Sequence, residues 1–259
     1  MRKLLLALML MCLLPQARAE RPDTGAVAAD SVRYAVLSRR ADRSFDGGEW
    51  ASAAALYQLM LDLRPDSAGV YARGIVAAEM AADTLSTLNL TGRAMANGVG
   101  LAQLLERVRT TTFDLGRGDN YGVLLHRLRR NFSWMARAVD NELLEYYTFR
   151  DDGPMIVRYA SMMLRGLPNS CDYRMLLARG YMLSGDDEAA ARQWRSVVND
   201  DPRCYDALIA LGNYLHQRGR DVEAGPLLTR AMELRPTPYV AAILDRIYPT
   251  HDKKKKRKN

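Results

Sequence analysis

Lysine is almost missing from this sequence. The chain has 259 residues and 37 basic side chains, yet from residue 4 to residue 252 every basic side chain is arginine. Histidine and cysteine are scarce as well, with three of each. His126, His216 and His251 lie too far apart to form a local metal-binding spacing. No His-Glu-x-x-His, Gly-x-Ser-x-Gly or phosphate-loop pattern stands anywhere. The hydrophobic content of 48% and the modest counts of Gly (18) and Pro (10) exclude a collagen-like, low-complexity or largely disordered chain. The one long apolar run, Leu4 to Leu14, is short of the roughly 20 residues that a membrane-crossing helix needs.

That run is placed where a leader belongs. Arg2 and Lys3 precede it, and Pro15-Gln-Ala-Arg-Ala19 follows with small residues at Ala17 and Ala19. A cationic start, an apolar stretch and a small-x-small site read as a secretory signal over residues 1–19, removed before Glu20. The expectation is a periplasmic or secreted protein. The expected source is a Gram-negative bacterium, and all-arginine basic usage adds the expectation of a GC-rich genome. Met11 stands where a lipobox requires Gly, Ala or Ser, so Cys12 is not read as a lipidation site.

The formal charge of +7 belongs to the ends. Removing Arg2, Lys3, Arg18 and the six cations Lys253, Lys254, Lys255, Lys256, Arg257 and Lys258 leaves 28 arginines against 30 acids, a net charge of −2. The overall balance supplies no basic face for phosphates, so no nucleic-acid partner is expected. The tail over residues 249–259 reads as extended and solvated through self-repulsion. Its sharper reading is contact with an anionic membrane surface through Lys253–Lys258.

Periodicity is the strongest signal. Pro168, Pro202 and Pro236 are spaced by 34 residues, and Pro65 lies three such periods plus one residue before Pro168. Unit 205–238 carries Leu208, Leu211, Gly212 and Leu215, then Ala224, Leu228, Ala231 and Pro236. Unit 171–204 carries Leu177, Ala178 and Tyr181, then Ala190, Trp194 and Pro202. Unit 34–67 carries Leu37, Ala41 and Phe45, then Ala53, Tyr57 and Pro65. Gly48, Gly185 and Gly219 fall at the same place in their units, where a left-handed residue ends a first helix. Acidic residues then open the second helix, as its dipole favours.

These residues resemble the tetratricopeptide repeat, a 34-residue helix–turn–helix unit. The resemblance implies an all-α fold: an α-solenoid of about five to six units, in which stacked neighbours bury one another's apolar faces. Unit 137–170 keeps the apolar spacing but has Gly153-Pro154 in place of the glycine turn. Residues 68–136 show helical stretches over 70–82, 100–108 and 121–130, with Gly116, Gly118, Asp119, Asn120 and Gly122 read as a loop. Two divergent units are expected there, with the odd residue of the long gap; a non-repeat helical insert is the alternative. Residues 20–33 read as a flexible lead-in and 239–248 as an amphipathic capping helix.

The resemblance also implies a concave groove lined by first helices, suited to an extended peptide or a partner's helix. Its candidate positions are Asn141 and Glu145, then Asp172, Met175 and Arg179, then Asp206, Ile209, Asn213 and His216, with an ordinary exposed helix position as the plain alternative for each. Arg179 and Asn213 suit a peptide backbone or carboxylate, and Met175 and Ile209 suit apolar side chains. Cys171 and Cys204 fall near adjacent first-helix starts, where one disulfide is open to them in an oxidising compartment. No cofactor is implied. The function expected is a non-enzymatic scaffold or adaptor of the cell envelope that binds a protein partner. The alternatives are a membrane-surface tether acting through the tail and an enzyme with a site in the irregular segment 95–136.

Overall fold

The structure, a computed structural model, describes residues 24–249, with side chains from residue 29. The secretory signal expected over residues 1–19 and the lysine tail lie outside the described residues. Among the described residues there are thirteen α-helices, one 3-10 turn and no strand. They fall into two compact units, divided after Asp114. No described helix is long and apolar enough to cross a membrane.

The first unit holds α1 (Thr24–Asp46), α2 (Trp50–Leu63), α3 (Ala68–Met80), α4 (Thr84–Ala96) and α5 (Leu101–Asp114). Helices α1 and α2 form one antiparallel hairpin and α3 and α4 a second, with α5 packed along α3. The core runs through Phe45, Tyr57, Leu61, Tyr71, Ile75, Leu90 and Leu104, all buried. Phe45 meets Trp50 and Tyr57 edge to face, with ring centroids 5.3 and 6.0 Å apart.

The second unit holds α6 (Gly118–Asn131), α7 (Ala136–Phe149), α8 (Gly153–Gly166), α9 (Cys171–Leu183), α10 (Asp187–Asp200), α11 (Tyr205–Gln217), α12 (Asp221–Leu234) and α13 (Pro238–Ile247). A 3-10 turn, Ser133–Met135, joins α6 to α7. Three hairpins, α7/α8, α9/α10 and α11/α12, follow one another, and α13 lies on the last. Val240 and Ile243 of α13 are buried in one apolar cluster with Trp194, Leu208, Leu211 and Leu228. Each fully buried Leu or Ile contributes about 1.5–3 kcal/mol, which neither helix of a lone hairpin would gain.

A left-handed residue recurs in the helix connections at the repeat spacing. Gly48, Gly116, Gly185 and Gly219 have φ between 67° and 78°, while Ala82 and Asp151 hold the same backbone at 57° and 53°. Successive turns are 34 residues apart except from Gly116 to Asp151, which takes 35. The odd residue therefore falls near the 3-10 turn.

This frame corrects four expectations. Residues 24–33, read as lead-in, are the first three turns of α1; Ala26, Ala28 and Ala29 favour helix and nothing interrupts the run. Residues 84–96, given no helix, form α4, begun by the Asp83 carboxylate accepting from the Ser86 amide at 3.0 Å. Of the supposed loop, only Gly116 is a turn residue; Gly118 to Gly122 open α6. The turn before α8 is made by Asp151, not by Gly153-Pro154, which is the first turn of α8 itself.

Gly153 has another use. A Cβ there would lie 2.7 Å from Ser184 Oγ and 2.9 Å from the Gly180 carbonyl oxygen. One on Gly180 would lie 2.9 Å from the Val157 amide nitrogen. The two glycines let α8 and α9 pack backbone against backbone.

Arginine binds neighbouring elements together. Arg73 pairs with Asp42, Arg93 with Asp62, Arg150 with Asp119 and Arg218 with Asp187, each pair 31 residues apart in sequence. A cation–ring stack recurs in both units: Arg64 lies 4.3 Å over Tyr34 and Arg235 3.7 Å over Tyr205. Each exposed pair is worth about 0.2–1 kcal/mol.

Candidate functional site

Counting back ten residues from the last five of these left-handed turns gives Ala72, Glu106, Asn141, Met175 and Ile209. Counting back six gives Thr110, Glu145, Arg179 and Asn213 from the last four turns. Helical spacing puts both sets on one face of the first helices. Each unit opens a recess on that face.

In the second unit the recess lies between α7 and α9, with a volume of about 470 Å³. Asn141, Leu144, Glu145, Thr148 and Phe149 line it from α7, and Leu176 and Arg179 from α9. Phe149 is 75% exposed. Asn141 is held from both sides: its amide nitrogen donates to Glu145 at 3.3 Å, and its oxygen accepts from the Tyr173 hydroxyl at 3.0 Å. The Arg179 guanidinium donates to the Asp151 carboxylate at 2.6 Å, which tethers it across the mouth. Thr148 Oγ1 is buried and has no hydrogen-bond partner.

Three of the sequence-derived candidates, Asn141, Glu145 and Arg179, thus come together. The others do not join them. Met175 and Ile209 are half-buried, pack against the apolar cluster and lie outside the recess lining. His216 sits half-buried with Nδ1 2.6 Å from Asp221 across the α11–α12 turn, which makes it a turn brace. Asp206 faces Arg235 at 3.7 Å. Asp172 is exposed and Asn213 half-buried, away from the recess lining. Cys171 and Cys204 are free thiols, both packed against the same cluster, and burial pushes the Cys171 thiol up.

The first unit has a counterpart of about 410 Å³ between α3 and α5, lined by Arg73, Gln103, Glu106, Arg107, Thr110 and Thr111 among others. Arg73 is anchored by Asp42 at 2.5 Å and by the Tyr57 hydroxyl at 3.4 Å. Burial, opposed by Arg73, leaves the Tyr57 phenol pushed up to about 12. These positions escaped the sequence reading because alanine fills the turn at residue 82. Only the apolar spacing of α4 could have restored the frame. The segment 95–136 is thus two ordinary helices and their connections. No group of three or more His, Cys, Asp or Glu side chains able to hold a metal ion is found among the described residues.

Residues 207–238, the last hairpin and the start of α13, match the family model for the tetratricopeptide repeat. That hairpin is a tetratricopeptide repeat. The fold class of the chain is all-α and helical-repeat. Among solved structures, the chain is similar to Pseudomonas aeruginosa pilF at 12% identity and a TM-score of 0.45, covering 84% of this chain and 99% of that one. It is similar to PilW, described as a type IV pilus biogenesis factor, at 12% identity and a TM-score of 0.48, covering 82% and 98%. The third is the P58(IPK) TPR domain, at 12% identity and a TM-score of 0.42, covering 84% of this chain and 65% of that one. No curated protein sequence matches the chain. Proteins built from tetratricopeptide repeats are typically non-enzymatic scaffolds that bind other proteins.

Proposed function

We propose that this protein is a non-enzymatic scaffold of the cell envelope that holds a segment of a partner protein in the α7–α9 recess. The carrying observation is Thr148. A buried hydroxyl without a partner costs about 1–3 kcal/mol, and this one lies in a recess between two hairpins. A peptide backbone group that enters the recess and displaces the lining over this hydroxyl would satisfy it. Leu176 and Phe149 offer apolar contact for one side chain, while Glu145 and Arg179 select charge on either side. The leader-like residues 1–19 support the envelope location.

The test uses a photo-crosslinking amino acid at position 149, with position 222 as control. Val222 is 90% exposed on α12, away from the recess. A reproducible adduct from position 149 alone supports the reading. Thr148→Val, which removes the unpartnered hydroxyl, should raise the melting temperature and yet reduce that adduct at least severalfold. Equal labelling at 149 and 222, or no effect of Thr148→Val, would refute it.

A further inference from the structure

We infer that one edge of the second unit, made by the connections 132–135 and 167–170, docks on an anionic lipid bilayer. The surface is separate from the recess and from the lysine tail. Residues 120–139 contain Arg127, Arg129, Arg130 and Arg137 and no acid; residues 153–171 contain Arg158 and Arg165 and no acid. The helices carrying them pack in order, α6 on α7 and α7 on α8. Asp140 neutralises Arg129. Arg130, Arg137 and Arg165 are exposed, and none of the three pairs with a carboxylate among the described residues.

The chain's course brings these three to the same end of the hairpins. Arg130 and Arg165 stand in the last turns of α6 and α8, and Arg137 in the first turn of α7. The Arg137 guanidinium lies over Gly166, 3.5 Å from where a Cβ would sit. Two helix C-termini supply about half a negative charge each, so three guanidiniums leave an excess of positive charge. The next carboxylates, Asp172 and Asp200, belong to the following hairpin, and Asp200 already holds Arg174.

Apolar groups stand among the cations. Trp134 is 63% exposed and Leu167 46% exposed. Phe132 packs edge to face on Trp134 at 6.3 Å. Tryptophan with arginine on protruding connections suits the headgroup layer, where the indole settles at the boundary and guanidiniums bridge phosphates. The mixture fits a bilayer better than an acidic protein, which would leave the Trp134 ring without an apolar counterpart.

The experiment takes the full chain and its Trp134→Phe variant. Each is mixed with vesicles of phosphatidylcholine alone, or of phosphatidylcholine with phosphatidylglycerol, carrying brominated acyl chains. Quenching in the wild type beyond that in Trp134→Phe reports Trp134 alone, whatever the tail does. It is expected on phosphatidylglycerol vesicles and absent on phosphatidylcholine. Neutralising three arginines as Arg130→Gln, Arg137→Gln and Arg165→Gln should shift the vesicle titration by about a hundredfold, at about a factor of five per charge, with an unchanged circular dichroism melt. Vesicle binding with equal quenching in wild type and Trp134→Phe would assign the contact to the tail and overturn the inference. Protection of Trp134 from acrylamide by polyglutamate, with no quenching by anionic vesicles, would assign the edge to an acidic protein instead.

Discussion

Ala82 and Asp151 share one backbone state, with φ of 57° and 53°, at equivalent turns in two different units. Glycine fills the other four turns of this kind. For a residue with a Cβ, the left-handed region costs about 1–2 kcal/mol. Ala82→Gly should therefore stabilise the protein by about 1 kcal/mol, seen as a higher urea midpoint with unchanged slope. Asp151→Gly should gain less, since it also removes the carboxylate that holds Arg179. A lower midpoint for Ala82→Gly would contradict the turn assignment.

Gly153→Ala should destabilise by about 1–3 kcal/mol. The added methyl meets the Gly180 carbonyl, which is backbone and cannot step aside. Gly98→Ala is a useful contrast: nothing lies near its Cβ position, but its φ of 79° strains any side chain. The first loss should vanish only if α8 and α9 separate, which would show in altered hydrogen exchange across both helices. The second should remain local to the α4–α5 connection.

The Arg129–Asp140 pair ties α6 to α7, and Asp140 is only 7% exposed. Arg129→Ala strands that carboxylate and should cost about 3 kcal/mol. Replacing both partners by Leu should cost clearly less than Arg129→Ala alone. Chemical denaturation of the wild type and the two variants tests the order; an equal loss in the single and double variants would argue against it.

Acid should weaken the second unit through His126. Its Nε2 lies 2.7 Å from the Tyr147 hydroxyl. Burial first, then Arg158, Arg129 and Arg130, hold its pKa below the usual 6.5, with Asp140 opposing. Tyr159 completes the surroundings from α8. In the window below pH 6.5 the unfolded chain binds a proton that the native histidine refuses, so stability falls as pH falls. It levels once the native histidine titrates as well. His126→Gln should flatten this part of the stability profile between pH 7 and 5; an unchanged slope would rule out the linkage.

Helix punctuation was legible because it is local. Gly185 and Gly219 mark turns, and Asp186 caps α10 by accepting from the Ala189 amide at 2.9 Å. The same logic failed at Ala82, whose turn carries no glycine, and at Thr84–Ala96, whose Thr87 and Thr91 obscured an apolar stripe. Both threonines are buried because their hydroxyls donate to carbonyls one turn back. The candidate site was legible only in outline. Helical spacing placed Asn141, Glu145 and Arg179 on one face, yet it placed Met175 and Ile209 there equally well.

The residue pattern by itself determined the 34-residue period, the helical class and the ends of the later hairpins. Those follow from propensity, capping and apolar spacing within a few turns of chain. Tertiary structure alone decided that Met175 packs against the core and outside the recess, that His216 braces a turn, and that Arg137 reaches Gly166. Such outcomes depend on what the adjacent hairpin presents at contact distance. A helix face fixes direction from its axis, but its neighbour determines whether a side chain is covered, paired or left open.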